Sequence, residues 1–262
     1  MSNDKGIAYC IDFTFLFLFL TIFLQPYFSG TQWCLINSIQ RLLLGIFELW
    51  IFIKIYSKKK WTNVINLRHF KEGLAAGAGI VLLIVFFIVY FAVGVKAFIR
   101  TTFPTVFSDL FLLQITTGFY EELTFRAFPI EGYFFRENKT WITRLAYASF
   151  CFVIFGLLHA IECDTLSHAV YRFMITGTLG FAFASVYLHT HSILVPMILH
   201  FVYDIFANGI NFVAAWNESA FLTVMKNDIF YVLMAITFII ALIYVIRDTK
   251  ETDSDTMITT CA

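Results

Sequence analysis

Residues 119–126 read Phe119-Tyr120-Glu121-Glu122-Leu123-Thr124-Phe125-Arg126, two adjacent carboxylates and a guanidinium inside a run otherwise rich in Phe, Leu, Ile and Thr. If that run crosses a membrane, three ionisable groups sit at or near hydrocarbon depth, where charge is costly and marks a working site by default. The surrounding composition decides whether it crosses. Of the 262 residues, 60% are hydrophobic, 33 are Phe and only 14% are charged; mean hydropathy is +0.79. A soluble domain carries about 45–50% apolar and about 25% charged residues. The excess is too large for a soluble core, so the chain reads as all-α: a polytopic transmembrane helical bundle.

Outward from the motif, apolar runs are expected over about 7–28, 34–56 and 74–95 on one side. The motif helix is expected to start near Pro104–Phe107, because proline suits a helix start, and to end at Pro129. Further runs follow at about 145–161, 169–188, 193–213 and 229–246, giving about eight spans. The first run lacks a small-residue cleavage site and reads as a retained helix. Gly73-x-x-x-Gly77 allows close helix contact, although one such pair is a weak signal. The chain divides into N-terminal transmembrane helices (1–106), a core carrying the motifs (107–213), and a last helix with a polar tail expected to be disordered (214–262).

Charge placement supports this count. With the connection holding Lys58, Lys59, Lys60, Arg68 and Lys71 in the cytoplasm, Lys5, the loop with Arg136, Lys139 and Arg144, and Arg247 with Lys250 also fall inside. Only Lys96, Arg100 and Lys226 fall outside. Both termini are then cytoplasmic by the positive-inside rule, and the expected location is the bacterial cell membrane. A formal charge of +0 gives no pointer to nucleic acid or an acidic substrate. The five cysteines are scattered without a C-x-x-C pair and read as small apolar fillers.

Three stretches could carry chemistry. Glu122 and Arg126 are spaced i, i+4 and share a helix face, while Glu121 is turned about 100° away and needs another partner. A carboxylate in a low-dielectric site is a candidate general base; the plain alternative is that both glutamates tie helices together through Arg126 and Arg172. Phe155-Gly156-Leu157-Leu158-His159 puts one histidine near a helix end, where a satisfied interfacial role is the commoner one. His200-Phe201-Val202-Tyr203-Asp204 again has i, i+4 spacing, and an aspartate beside a histidine fixes its tautomer and orientation. Arg172 needs an anionic partner, for which Glu122 or Asp204 would serve. His189 and His191 read as solvated residues of a short connection, and His168 and His69 as loop residues.

The order Glu121-Glu122-x-x-x-Arg126, Phe155-x-x-x-His159, His200-x-x-x-Asp204 resembles the CAAX prenyl protease and bacteriocin-processing family of intramembrane endopeptidases. The resemblance covers about residues 107–208, with the Gly177–Gly180 stretch and Ser192-x-x-x-Pro196 also similar to that family's core. It implies that Glu121 with His159 activates the attacking water, that Glu122 and Arg126 brace the site, and that His200 with residue 204 stabilises the oxyanion. It implies as partners the lipid bilayer and a peptide or prenylated protein substrate. Asp204 departs from the Asn of many members: either it is protonated, or it orients His200 and His200 alone donates. A metal-assisted route would use Glu121, His159 and His200 as a two-histidine, one-carboxylate zinc site. The compact H-E-x-x-H motif is absent, and the reading favours water activation without a tightly bound metal.

Competing readings are a non-catalytic membrane protein of the same fold, giving peptide-toxin immunity or scaffolding, and a proton-coupled transporter, which expects helices broken at depth. Aspartyl and serine intramembrane proteases lack their second motifs, G-x-G-D and G-x-S. One tension stands: the charge-derived topology puts Glu121 and His200 toward the cytoplasmic half but His159 near the other end of its run, so convergence requires a tilted helix or a shifted boundary.

Overall fold

The computed structural model describes residues 6–55, 65–67, 69–98, 102–130, 134, 140–209, 213–216, 224 and 228–247. Lys5, Lys58, Lys59, Lys60, Arg68, Arg100, Arg136, Lys139, Lys226, Lys250, Cys261 and the polar tail lie outside them, as does the side chain of Lys96.

Within them the chain is a helical bundle. Helix α1 (Gly6–Leu24), closed by a 3-10 turn at Gln25–Tyr27, leads to α2 (Gly30–Ile55). The third apolar run is not one rod: α3 (Phe70–Ala76) and α4 (Ala78–Gly94) meet at Gly77 with a 74° bend. Gly73 and Gly77 lie against α8 and α9, described below; a Cβ on Gly73 would come 2.5 Å from Thr190 Cγ2, and one on Gly77 2.8 Å from Leu199 Cδ1. This close helix contact is the one the glycine spacing suggested; the bend was not foreseen.

After β1 (Val95–Phe98) comes the motif segment: α5 (Phe103–Val106), a π-helical stretch at Phe107–Leu113, α6 (Gln114–Glu122), and a second π-helical stretch at Leu123–Ala127. Pro104 sits in the first turn as expected. Pro129 does not end the segment, which stays helical to residue 130. A proline has no N–H for the carbonyl four residues back. Here that carbonyl belongs to Phe125, and it accepts from Cys151 Sγ at 3.2 Å; its neighbour Arg126 O accepts from Tyr147 Oη at 3.3 Å. The widened turns release backbone carbonyls, and side chains of the next helix satisfy them.

Helices α7 (Trp141–Ala160), α8 (Leu166–Thr190) and α9 (Leu194–Gly209) follow, then β2 (Val213–Trp216) and α10 (Phe230–Ile246). β1 and β2 pair antiparallel with an irregular register, Val95 opposite Trp216 and Phe98 opposite Val213. The seventh apolar run therefore stops being helical at Gly209, and Val213 is in the strand. α8 is the central rod, with every residue from Thr176 to Leu188 buried, as befits a helix apolar on all sides. It packs closely on α7 because a Cβ at Gly180 would stand 2.7 Å from the Cys151 carbonyl. The outside is equally apolar: Phe15, Phe19, Ile22 and Phe23 of α1, and Val232, Ile239 and Ile243 of α10, are exposed. Such a surface belongs in lipid.

Among the described residues four helices are long and apolar enough to cross a membrane, five if the bent α3–α4 pair is one span; α9 and α10 are shorter apolar helices. The expected eight is not reached by length and composition alone: the motif segment and the third run are broken into pieces, and α9 and α10 are short.

Three polar residues sit elsewhere than expected. Arg144 is in α7, not in a loop; it is buried and caps α10, Nε donating to Val245 O and Nη2 to Ile246 O, each at 2.8 Å. A cation there complements the helix C-terminus. His189 lies inside α8, half-buried, and its Nε2 donates to Tyr244 O at 2.9 Å. His168 is in the first turn of α8.

Candidate active site

The polar groups of α6 are held from two sides. Glu122 and Arg126 have completely buried side chains, with Arg126 Nε 3.4 Å from Glu122 Oε2. The guanidinium lies between aromatic faces, 4.6 Å from the Phe155 ring centroid on α7 and 5.5 Å from Phe183 on α8. Ring quadrupoles supply what missing hydrogen bonds do not. The other Glu122 oxygen, Oε1, accepts from His200 Nδ1 at 2.9 Å. A carboxylate only accepts, so the proton is on Nδ1. The His200 ring is stacked on Phe183 at 4.6 Å. The Nδ1 proton and the ring plane are both fixed.

His200 Nε2 points the other way. It is 3.4 Å from Asp204 Oδ2, one turn on, and 3.8 Å from Glu121 Oε2. Both distances are too long for a strong hydrogen bond, so Nε2 can serve a third oxygen placed between them. Glu121 Oε2 itself is buried and has no hydrogen-bond partner in the protein.

His159, the penultimate residue of α7, faces the same space. Its Nδ1 donates to Phe155 O at 2.9 Å, which leaves Nε2 as a bare acceptor. The Phe155 ring lies 4.6 Å from the His159 ring and 6.1 Å from the His200 ring. Among the described residues Glu121 and His159 make no direct ion pair. They meet instead as walls of one cavity of about 390 Å³, lined also by His200 and Asp204. Glu162, just beyond the end of α7, and the exposed Arg172, near the start of α8, line the same cavity as His159. The shared cavity brings His159 to the same space as Glu121 and His200, with the Phe155 ring near both imidazoles.

Among the described residues Arg172 makes no ion pair with Glu122 or Asp204. It is exposed, and Glu122 is already taken by His200 and Arg126.

Sequence reasoning missed two contributions from α2. Arg41 Nη1 is 3.7 Å from Glu121 Oε1. Glu48 is completely buried and accepts from Thr124 Oγ1, 2.9 Å from each carboxylate oxygen. The signal was present: Asn37, Arg41 and Glu48 share one face of α2 by their i, i+4 and i, i+7 spacing, and ionisable residues on a spanning helix call for partners.

A zinc ion would need ligand atoms at about 2.0–2.2 Å around one point. Among the described residues no three His, Cys, Asp or Glu side chains are placed to share a metal ion. The Arg41 guanidinium already brings positive charge to Glu121, and as placed the donor set does not fit a zinc site.

Residues 102–206 match the family model described as type II CAAX prenyl endopeptidase, Rce1-like, which bears out the resemblance drawn from the motifs. No curated protein and no solved structure matches the chain.

Proposed function

We propose, proceeding from a chain whose residues 102–206 match the model of the Rce1-like family of type II CAAX prenyl endopeptidases, that this integral membrane protein hydrolyses a peptide bond in a membrane-associated substrate. The family match favours a prenylated C-terminus. One observation carries the reading: Glu121, His159, His200 and Asp204, from three separate helices, line a single cavity of about 390 Å³ within the bundle. That volume is in the range of small-molecule and peptide side-chain sites.

In this reading a water lies against the Glu121 carboxylate, which lines the cavity. Glu121 takes a proton from it as the water oxygen attacks the substrate carbonyl carbon, and His159 Nε2 accepts the water's other hydrogen bond. The carbonyl oxygen gains negative charge and is met by His200 Nε2. For that, the imidazole carries protons on both nitrogens. The charge count favours this form: Glu121, Glu122 and Asp204 face Arg41 and Arg126, and an imidazolium makes the group neutral. Asp204 orients His200, which fits its 3.4 Å distance to Nε2 better than a direct oxyanion role does. The proton held by Glu121 then passes to the departing nitrogen, the C–N bond breaks, and a carboxylic acid and an amine leave, the acid's proton passing to the amine. The lysine and arginine distribution favours a cytoplasmic side for both termini.

The test is cleavage of a quenched fluorescent peptide ending in a farnesylated cysteine motif by the full-length protein in liposomes. Wild type cleaves it, and Glu121→Gln does not while keeping its melting temperature. Equal rates for wild type and Glu121→Gln would sink the proposal and leave a non-catalytic protein of the same fold.

A further inference from the structure

The cavity is not built by the matched segment alone. Arg41 stands on α2, outside residues 102–206, yet its guanidinium reaches Glu121 Oε1 at 3.7 Å. It is held on several sides. Nε donates to Asn37 Oδ1 at 3.0 Å, one turn back on the same helix. Nη1 donates to Thr117 Oγ1 on α6, and that hydroxyl in turn donates to Leu113 O at 2.6 Å. The flat face lies 5.0 Å from the Phe17 ring centroid on α1. α2 meets α6 tightly enough for this, since a Cβ on Gly45 would come 2.7 Å from the Phe119 ring.

We infer that Arg41 is a positioning residue: its anchored guanidinium draws the Glu121 carboxylate toward α2 and keeps it from closing onto His200 Nε2, which stands 3.8 Å away. The inference rests on the proposed hydrolysis. A carboxylate at the wall of an open cavity has rotamers that turn either oxygen outward or toward the nearest donor. His200 is the only other cationic candidate within 4 Å of Glu121 among the described residues. Without Arg41 the carboxylate would collapse onto that imidazole, and the acceptor oxygen and the oxyanion donor would quench each other. Arg41 holds the two apart by drawing Glu121 the opposite way. A planar fork anchored by Asn37 and Thr117 suits this better than a mobile ammonium. The N-terminal helix pair thus completes the site, and is more than a lipid-facing belt.

A purely structural Arg41 would tie α2 to α6 and nothing else. The two roles separate in a kinetic experiment on the full chain in liposomes with the farnesylated reporter. Arg41→Ala is expected to lower kcat by about 100-fold, the scale of a lost catalytic electrostatic contact, with KM within about 2-fold. Arg41→Lys, which keeps the charge, is expected to stay within about 10-fold of wild type. Guanidinium ion at tens of millimolar is expected to raise the Arg41→Ala rate by about 10-fold and to leave Glu121→Gln inactive. If Arg41→Ala fails to insert, Arg41→Gln keeps most of the stem and is measured the same way. Wild-type kcat in Arg41→Ala, or a loss that neither lysine nor guanidinium repairs, overturns the inference while the hydrolysis stands. A wild type that cleaves nothing removes the hydrolysis and this inference with it.

Discussion

Arg126→Met is the sharpest probe of how the buried cluster is held. The wild-type side chain is completely buried, its Nε 3.4 Å from Glu122 Oε2, with Phe155 and Phe183 on its faces. Methionine fills much of the same volume, so the loss is mainly the cation. Glu122 then keeps only His200 at 2.9 Å. Removing one partner of a buried ion pair costs about 3–5 kcal/mol, because the other charge is left uncompensated. For a chain of this size each kcal/mol moves Tm by roughly 2–4 °C, so a fall of roughly 6–20 °C is expected. Glu122→Gln combined with Arg126→Met removes both charges while Gln still offers an oxygen to His200 Nδ1. Replacing a buried pair with neutral groups is often close to neutral. The double variant should therefore melt above Arg126→Met alone. Melting would be followed by intrinsic fluorescence in detergent micelles. A double variant that melts at the sum of the two single losses would show that Glu122 and Arg126 are not coupled, and the bracing role would fall.

Three further outcomes are expected. Gly180→Ala should destabilise by about 1–3 kcal/mol, read as a lower Tm, because its new methyl group would stand 2.7 Å from the Cys151 carbonyl in the α7–α8 seam. Thr124→Val, nearly the same shape, should cost about 1–3 kcal/mol by removing the hydroxyl partner of the buried Glu48 side chain. Prolonged treatment with a strong chelator should leave the cleavage rate within about 2-fold, since no three ligand side chains converge among the described residues; loss of activity restored by zinc alone would reverse that reading.

Local spacing carried much of the site, and tertiary contact carried the rest. Glu122 with Arg126 and His200 with Asp204 pair as their i, i+4 positions imply, each at 3.4 Å. The helical class and the lipid-facing surface follow from composition. Pairing between helices was not legible. Glu121 faces Arg41, 80 residues earlier, and Glu122 is shared by Arg126 and His200. Arg144 looked like a loop cation, since nothing in its neighbourhood announces that it caps the end of α10. Span ends failed where the backbone leaves regular geometry: at Gly77, where close packing bends the third run, and at Pro129, which π-helical turns and the Cys151 thiol accommodate. These are places where a partner helix supplies what the local sequence lacks.

The most direct measurement of the central claim is mass spectrometry of the products when the reconstituted protein meets a farnesylated peptide in ¹⁸O water. One cleavage site, with a single ¹⁸O in the new carboxylate for wild type and no product for Glu121→Gln, is the expected result. Product of the same yield and label from Glu121→Gln, or none from wild type, would contradict a water activated in this cavity.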